Sequence, residues 1–476
     1  VKNRTFFLML PLFGIALAGT LLAGCGLLPS KAERAYSQYQ AALAGGDKNR
    51  VRAALVALAS ADEDNPDYWI ELGKIQIEFG DYAKAYDAFS RAYEVDRSNV
   101  PVLTALTQMA LLSGNIPLAD EQAKTLALLS PDNPTVTLVR GYVALQAGDL
   151  GQADGEASKL LAGAPTDPDA KILKARVLIA RSAIPDAVSL LEAQHKAEPE
   201  DRMALRALSA LYRNRSDWRN ATRADAALHK LDPDDTNVAQ DLIEASLRSG
   251  NLALARVTSV PLLSASSNPG SVQGTLDLWA RFSPALLPGV VELANASAGD
   301  NRVAFANYFN RMDRPAVASH LLGGRARLPV TSANLRWDAV IAQSLSLQKQ
   351  EKAAKQLFNL ILAKEPDQLD ALRGRSALAA RTGSSKQAIV DAQRLVSASP
   401  NSGEDRLLLA QAYLAGGHLT DVKRTLWEAF QAVPDDERVL AALKRVLGST
   451  GDADAEQRLN DEYADKELAK LRKELV

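Results

Sequence analysis

Apolar and small residues recur along most of the chain at the three- and four-residue spacing of helices that bury one face. The pattern is plainest in 66–99. Trp69, Leu72 and Gly73 share one helical face, Gly80-Asp81 interrupts it, and Ala85, Phe89 and Ala92 share the face of a second helix. The segment predicts a helical hairpin. Small residues at Gly73 and Ala85 permit close approach of the two helices, and Trp69 and Phe89 fill the space beside them. Alternating β-branched runs are few, so almost no strand is expected.

A single hairpin cannot bury both its faces, and the chain supplies neighbours at a fixed period. Pro131, Pro165, Pro199 and Pro233 follow one another at 34 residues, and twelve residues before them stand Ala119, Ala153, Ala187 and Ala221. Pro366, Pro400 and Pro434 repeat the interval, preceded by Ala354, Ala388 and Val422. The order Trp-x2-Leu-Gly then Ala-x3-Phe, closed by Pro, resembles the tetratricopeptide repeat (TPR). Gln76 and Arg97 depart from it, standing where Tyr and Pro are usual. The resemblance implies an all-α fold: a TPR solenoid, a right-handed superhelix of about 12–13 helical hairpins, irregular in the middle.

Turn residues place the organisation. A first repeat block is expected over 32–257, with turns at Gly45-Gly46-Asp47, Gly80-Asp81, Gly114-Asn115, Gly148-Asp149, Ser182-Ala183 and Ser216-Asp217. Asp or Asn there caps the second helix, and Ser182-Ala183 alone falls short. Regularity fails over 258–334, which holds Pro261, Pro269, Pro284 and Pro288 among Ser- and Gly-rich connections. Pro233 and Pro366 are 133 residues apart against 136 for four repeats, the deficit left by a 27-residue unit at 270–296, a normal one at 297–330 and four extra residues at 331–334. The stretch reads either as a hinge or docking region between two repeat blocks or as two eroded repeats. A second block follows over 335–454, and the charge-dense helix in 455–476 is read as a polar cap on the solenoid end.

The N-terminus has a different pattern. Lys2 and Arg4 precede the apolar run Phe6–Leu22, interrupted by Pro11 and Gly14, and Leu22-Ala23-Gly24-Cys25 follows. Residues 1–24 read as a secretory signal peptide, the run being short and broken for a permanent span. Leu-Ala-Gly-Cys resembles the bacterial lipobox. That resemblance implies cleavage before Cys25, S-diacylglycerol and N-acyl (palmitate) lipid on Cys25, and a lipidated tether over 25–31. With Gly26 after the cysteine, it also implies the outer membrane of a Gram-negative cell, facing the periplasm. Several acyl chains make a stable anchor where one is marginal. Cys25 is the sole cysteine, so no disulfide within the chain supports the fold.

Net charge is −2, and −4 without Lys2 and Arg4, too mild to suggest nucleic acid as a partner. His195, His229, His320 and His418 lie in different hairpins, and no motif supports a metal site, a cofactor or a catalytic centre, so the reading is not an enzyme. Asp234-Asp235 and Asp435-Asp436 read as helix caps and solvated turns. The positions expected to point outward from the first helices are Lys74, Thr104, Gln108, Leu138, Tyr142, Ile172, Arg176, Arg206, Arg213, Asn214, Gln240 and Arg248. Of these, Lys74, Tyr142, Arg176, Arg206, Arg213, Asn214 and Arg248 are the candidate partner-binding residues of a concave face. Arginine pairs bidentately with carboxylates and stacks on planar groups, so the row suits an acidic peptide or an anionic polysaccharide; a merely solvated face is the plainer alternative. The family resemblance implies a scaffold for envelope proteins, such as an outer-membrane barrel or an export component. Exopolysaccharide export is the expected setting, and pilus, secretin or outer-membrane protein assembly the alternative.

Overall fold

The computed structural model describes residues 29–475 apart from 265–266, 325 and 327–328. The expected signal peptide at 1–24, Cys25 and most of the tether lie outside the described residues. Among the described residues the regular structure is entirely helical, with twenty-six helices in thirteen successive pairs. None of them is long and apolar enough to cross a membrane. The chain divides into two compact units at Ala204/Leu205.

The first unit holds α1 (Lys31–Gly45), α2 (Lys48–Ala59), α3 (Pro66–Glu78), α4 (Tyr82–Val95), α5 (Val100–Leu112) and α6 (Ile116–Leu129). It continues with α7 (Pro134–Gln146), α8 (Leu150–Gly163), α9 (Pro168–Ala180) and α10 (Ile184–Ala197). Local chemistry sets each boundary. Gly46, Gly80, Gly114 and Gly148 follow the first helices at φ between 69° and 77°, a left-handed conformation that glycine adopts without steric penalty. Ser182 holds the equivalent position at φ 62°. Asp81, Asn115 and Asp149 then accept a backbone N–H and cap α4, α6 and α8, whereas Ala183 leaves α10 without a side-chain cap. A second series the sequence reading did not register, Asn65, Asn99, Asn133 and Asp167, caps the first helices of successive pairs.

Packing inside a pair follows the small-against-large rule. Phe89 on α4 is fully buried over Gly73 on α3, where a Cβ would sit 2.8 Å from its ring. Between pairs, Leu173 of α9 fills the space above Gly141 of α7, where a Cβ would meet it at 2.4 Å. Each hairpin thus buries one apolar face internally and the other against its neighbour, as repeat stacking requires.

The division falls inside α11 (Arg202–Asn214). The second unit continues with α12 (Trp218–Leu231), α13 (Thr236–Arg248), α14 (Leu252–Leu262), α15 (Pro269–Phe282), α16 (Val290–Ala296), α17 (Gly299–Arg311) and α18 (Pro315–Leu321). Its remaining helices are α19 (Leu335–Leu347), α20 (Glu351–Lys364), α21 (Leu369–Arg381), α22 (Ser385–Ala398), α23 (Gly403–Ala415), α24 (Leu419–Ala432), α25 (Glu437–Thr450) and α26 (Ala453–Leu475). The long α26 buries Leu459 and Leu471 and leaves charged residues on its other side.

The stretch 258–334 corrects one expectation. Its unit lengths differ from those inferred: first helices begin at Pro269, Gly299 and Leu335, so a 30-residue unit precedes a 36-residue one. The division between compact units lies elsewhere, at Ala204/Leu205. Helices α13, α15, α17 and α19 pack in succession through it. Trp279, Phe305, Tyr308 and Phe309, four of the largest fully buried side chains, form its core. These rings fill the volume left where α16 and α18 shrink to seven residues each. Two of these rings carry polar atoms that find partners: the Trp279 indole donates to Ser259 Oγ at 2.9 Å, and the Tyr308 hydroxyl accepts the Leu287 N–H at 2.9 Å.

Candidate binding surface

In both units first helices lie against first helices: α5 on α7 and α7 on α9, then α13, α15, α17, α19, α21, α23 and α25 in order. Side chains between these helices therefore make a continuous lining within each unit.

In the first unit, Lys74 pairs with Glu71 of its own helix at 2.6 Å. Thr104 accepts from Asn133 Nδ2 at 3.0 Å, and Gln108 donates to Thr135 at 3.3 Å, so both tie α5 to the start of α7. Leu138 and Ile172, expected to face outward, are buried, and Leu138 packs in one cluster with Ala170, Leu173 and Val177 of α9. Arg176 and Tyr142 do come together, the guanidinium lying 5.1 Å from the ring centroid. Burial pushes the Tyr142 hydroxyl above its usual range, and the Arg176 charge opposes that shift.

In the second unit the arginines separate into different roles. Arg206 is the exposed one, its side chain 59% accessible, with Asp235 at 3.7 Å. Asn214 is half-buried at the end of α11, and Gln240 is half-buried on α13. Arg213 is a correction: its side chain is only 19% exposed and is spent on the protein itself. It donates to Asp225 at 2.8 Å and to the Asp241 carbonyl at 2.6 Å, and pairs with Glu244 at 3.3 Å. Asp225 stands on α12 at the position Phe89 holds on α4, and Ser209 at that of Gly73. The Gly–Phe contact is thereby replaced by a buried polar one, with Ser209 Oγ 2.5 Å from Asp225 Oδ1. Burial pushes the Asp225 carboxyl up, and Arg213 and Ser209 pull it back only in part.

The same device recurs where the sequence reading placed no site. Arg373 holds the buried Asp405 by two bonds of 2.6 and 2.9 Å, and Arg375 holds the buried Asp391 by two of 2.8 Å. The forked guanidinium suits such bidentate pairs. Arginine on a first helix thus also serves cohesion. Arg248 is different again: it stacks on Trp218 and Phe282 and reaches Glu244 at 3.2 Å and Glu437. Trp218, Phe282 and Glu437 carry no motif that would have marked them. Among the described residues, no group of three His, Cys, Asp or Glu side chains is placed to hold a metal ion.

Paired helices at a 34-residue period, with glycine against a bulky ring and capped turns, define a tetratricopeptide-repeat solenoid. Over residues 139–269 the chain matches the family model described as Psidin, N-terminal TPR repeats region. No curated protein matches it. Among solved structures it is similar to the TPR domain of P58(IPK), at 15% identity over 82% of this chain and 99% of that one, with a TM-score of 0.26. It is also similar to PilW, a type IV pilus biogenesis factor, at 15% identity over 41% of this chain and 91% of that one, with a TM-score of 0.33. Pseudomonas aeruginosa pilF gives 17% identity over 43% and 93%, with a TM-score of 0.30.

Proposed function

We propose that the protein is a scaffold, lipid-anchored through Cys25 at the outer membrane of a Gram-negative cell and facing the periplasm, that holds protein partners of an envelope export or assembly machine. Exopolysaccharide secretion is the setting this reading favours. The observation that carries the binding role is the succession of first helices, α5, α7 and α9 in one unit and α13 through α25 in the other, whose lining presents Tyr142 with Arg176 in the first and Gln240 in the second. The anchor rests on Leu22-Ala23-Gly24-Cys25 behind the apolar run. Direct grip of an anionic polysaccharide has less support, because Arg213 is already occupied by Asp225, Asp241 and Glu244 of the chain.

The test is expression of the full chain in a Gram-negative host, followed by fractionation and mass spectrometry of the N-terminal peptide. Acylated Cys25 in the outer-membrane fraction, with Cys25→Ser released to the soluble periplasm, is the expected result. An unmodified Cys25 overturns the anchor. Salt-sensitive binding to uronate oligomers, lost on Lys74→Ala with Arg206→Ala, would replace the protein partner by a sugar polymer.

A further inference from the structure

Arg248 ends α13 between two aromatic faces, its guanidinium carbon 3.7 Å from the Trp218 centroid and 4.8 Å from that of Phe282. Stacking of this kind fixes the plane of the guanidinium and aims its N–H groups outward at the edge. One N–H group meets Glu244 on the same helix, and another donates to Glu437 in the first turn of α25. Beside it, Arg281 on α15 lies 4.9 Å from the Phe282 centroid and faces Asp436 at 3.8 Å. Asp436 caps α25 and is held by Arg438 at 2.7 Å. Gly403 leaves the room it needs, since a Cβ there would stand 2.3 Å from its Oδ2.

Helices α13, α15 and α25 are all first helices, and five helix pairs lie between α13 and α25. The lining of the second unit therefore curves until its two ends touch. Helix α25 packs against α23, α24 and α26, and these side chains make the bridge to α13 and α15. The Glu437 side chain is 48% exposed, which keeps the bridge weak and open to competition.

We propose that Arg248 and Arg281, with Trp218 and Phe282 beneath them, form a receiving site for adjacent carboxylates on an acidic segment of a partner protein, and that Asp436 and Glu437 occupy it in the free chain as an internal stand-in. The bound pair defines the ligand chemistry: two neighbouring acidic side chains presented at a turn. The partner's segment displaces them and opens the lining. The proposal rests on the reading of the first-helix lining as the binding face.

The test uses the full chain in a Cys25→Ser background with spin labels at Leu252→Cys and Arg445→Cys, both exposed positions, and hexaglutamate as the probe. The closed chain gives a short, narrow distance distribution, Glu437→Arg lengthens it, and adding Arg248→Glu to that variant restores it. Hexaglutamate lengthens the distance in the parent, acts at about fivefold lower concentration on Glu437→Ala, and has no effect on the distance or on binding with Arg248→Ala plus Arg281→Ala. A distance unmoved by Glu437→Arg overturns the bridge. Hexaglutamate that fails to bind Glu437→Ala, or binds the double arginine variant equally, overturns the receiving site. The scaffold reading fails separately, by the uronate and acylation results above.

Discussion

Replacing Arg213 with Ala leaves Asp225, 1% exposed, without its counter-charge on a helix where the repeat ordinarily places an aromatic ring. Breaking a buried pair from one side costs about 3–5 kcal/mol. Protonation sets the ceiling: neutralising a carboxyl of ordinary pKa at pH 7 costs about 4 kcal/mol, and at pH 5 about 1.5 kcal/mol. The sign follows from Asp225, whose pKa is raised in the fold by burial even with Arg213 present and rises further without it. Between the unfolded and folded pKa values the folded state holds the extra proton, so stability falls as pH rises. Arg213→Ala is therefore destabilised by about 4 kcal/mol at pH 7, and much of the deficit disappears toward pH 5. Native-state hydrogen exchange of the α11 and α12 amides reads the effect locally, and a urea midpoint reads it for the unit. The companion variant Arg213→Met with Ser209→Gly and Asp225→Phe removes both partners of the pair, restores the pairing of Gly73 with Phe89 and is expected to be neutral or more stable than the parent, by up to about 4 kcal/mol. A deficit under about 0.5 kcal/mol at pH 7, or one that does not change with pH, refutes the reasoning.

Three further outcomes follow from particular residues. Phe89→Ala empties the space over Gly73 and lowers the stability of the first unit by about 3–5 kcal/mol in urea unfolding. Ala183→Asp supplies the cap that α10 lacks, in a backbone close to that of Asp149, and raises exchange protection in α10 by about 0.5–2 kcal/mol. Lys349→Gly removes the strain of a side chain at φ 64° and stabilises the α19–α20 turn by about 1 kcal/mol, read from the same exchange experiment.

The hairpins, their turns and the absent cap at Ala183 were legible because they are written within one repeat, in residues a few positions apart. The core of 258–334 was not, because Trp279, Phe305, Tyr308 and Phe309 fall outside the 34-residue register and substitute bulk for missing helix length. Candidate binding residues were legible only as positions on a helix. Which arginine turns inward depends on an acid on another helix, as with Arg213 and Asp225, and the sequence showed Asp225 only as a charged residue in the place of an apolar one. Leu138 was misplaced for a related reason: a face that looks outward within one hairpin is covered by the next. The contact of Arg248 with Glu437 spans 189 residues and depends on curvature accumulated over several repeats, which no local spacing records.

The claim on which the account rests is that partners are held along the first-helix lining. Site-specific photo-crosslinking of the full chain in living Gram-negative cells tests it most directly, with the reactive group placed in turn at Lys74, Arg206 and Gln240 on first helices and at Leu128 and Val257 on exposed faces of second helices. A discrete envelope protein captured from the first three positions and not from Leu128 or Val257 is the expected result. Capture from Leu128 and Val257 with none from the first-helix positions would contradict it.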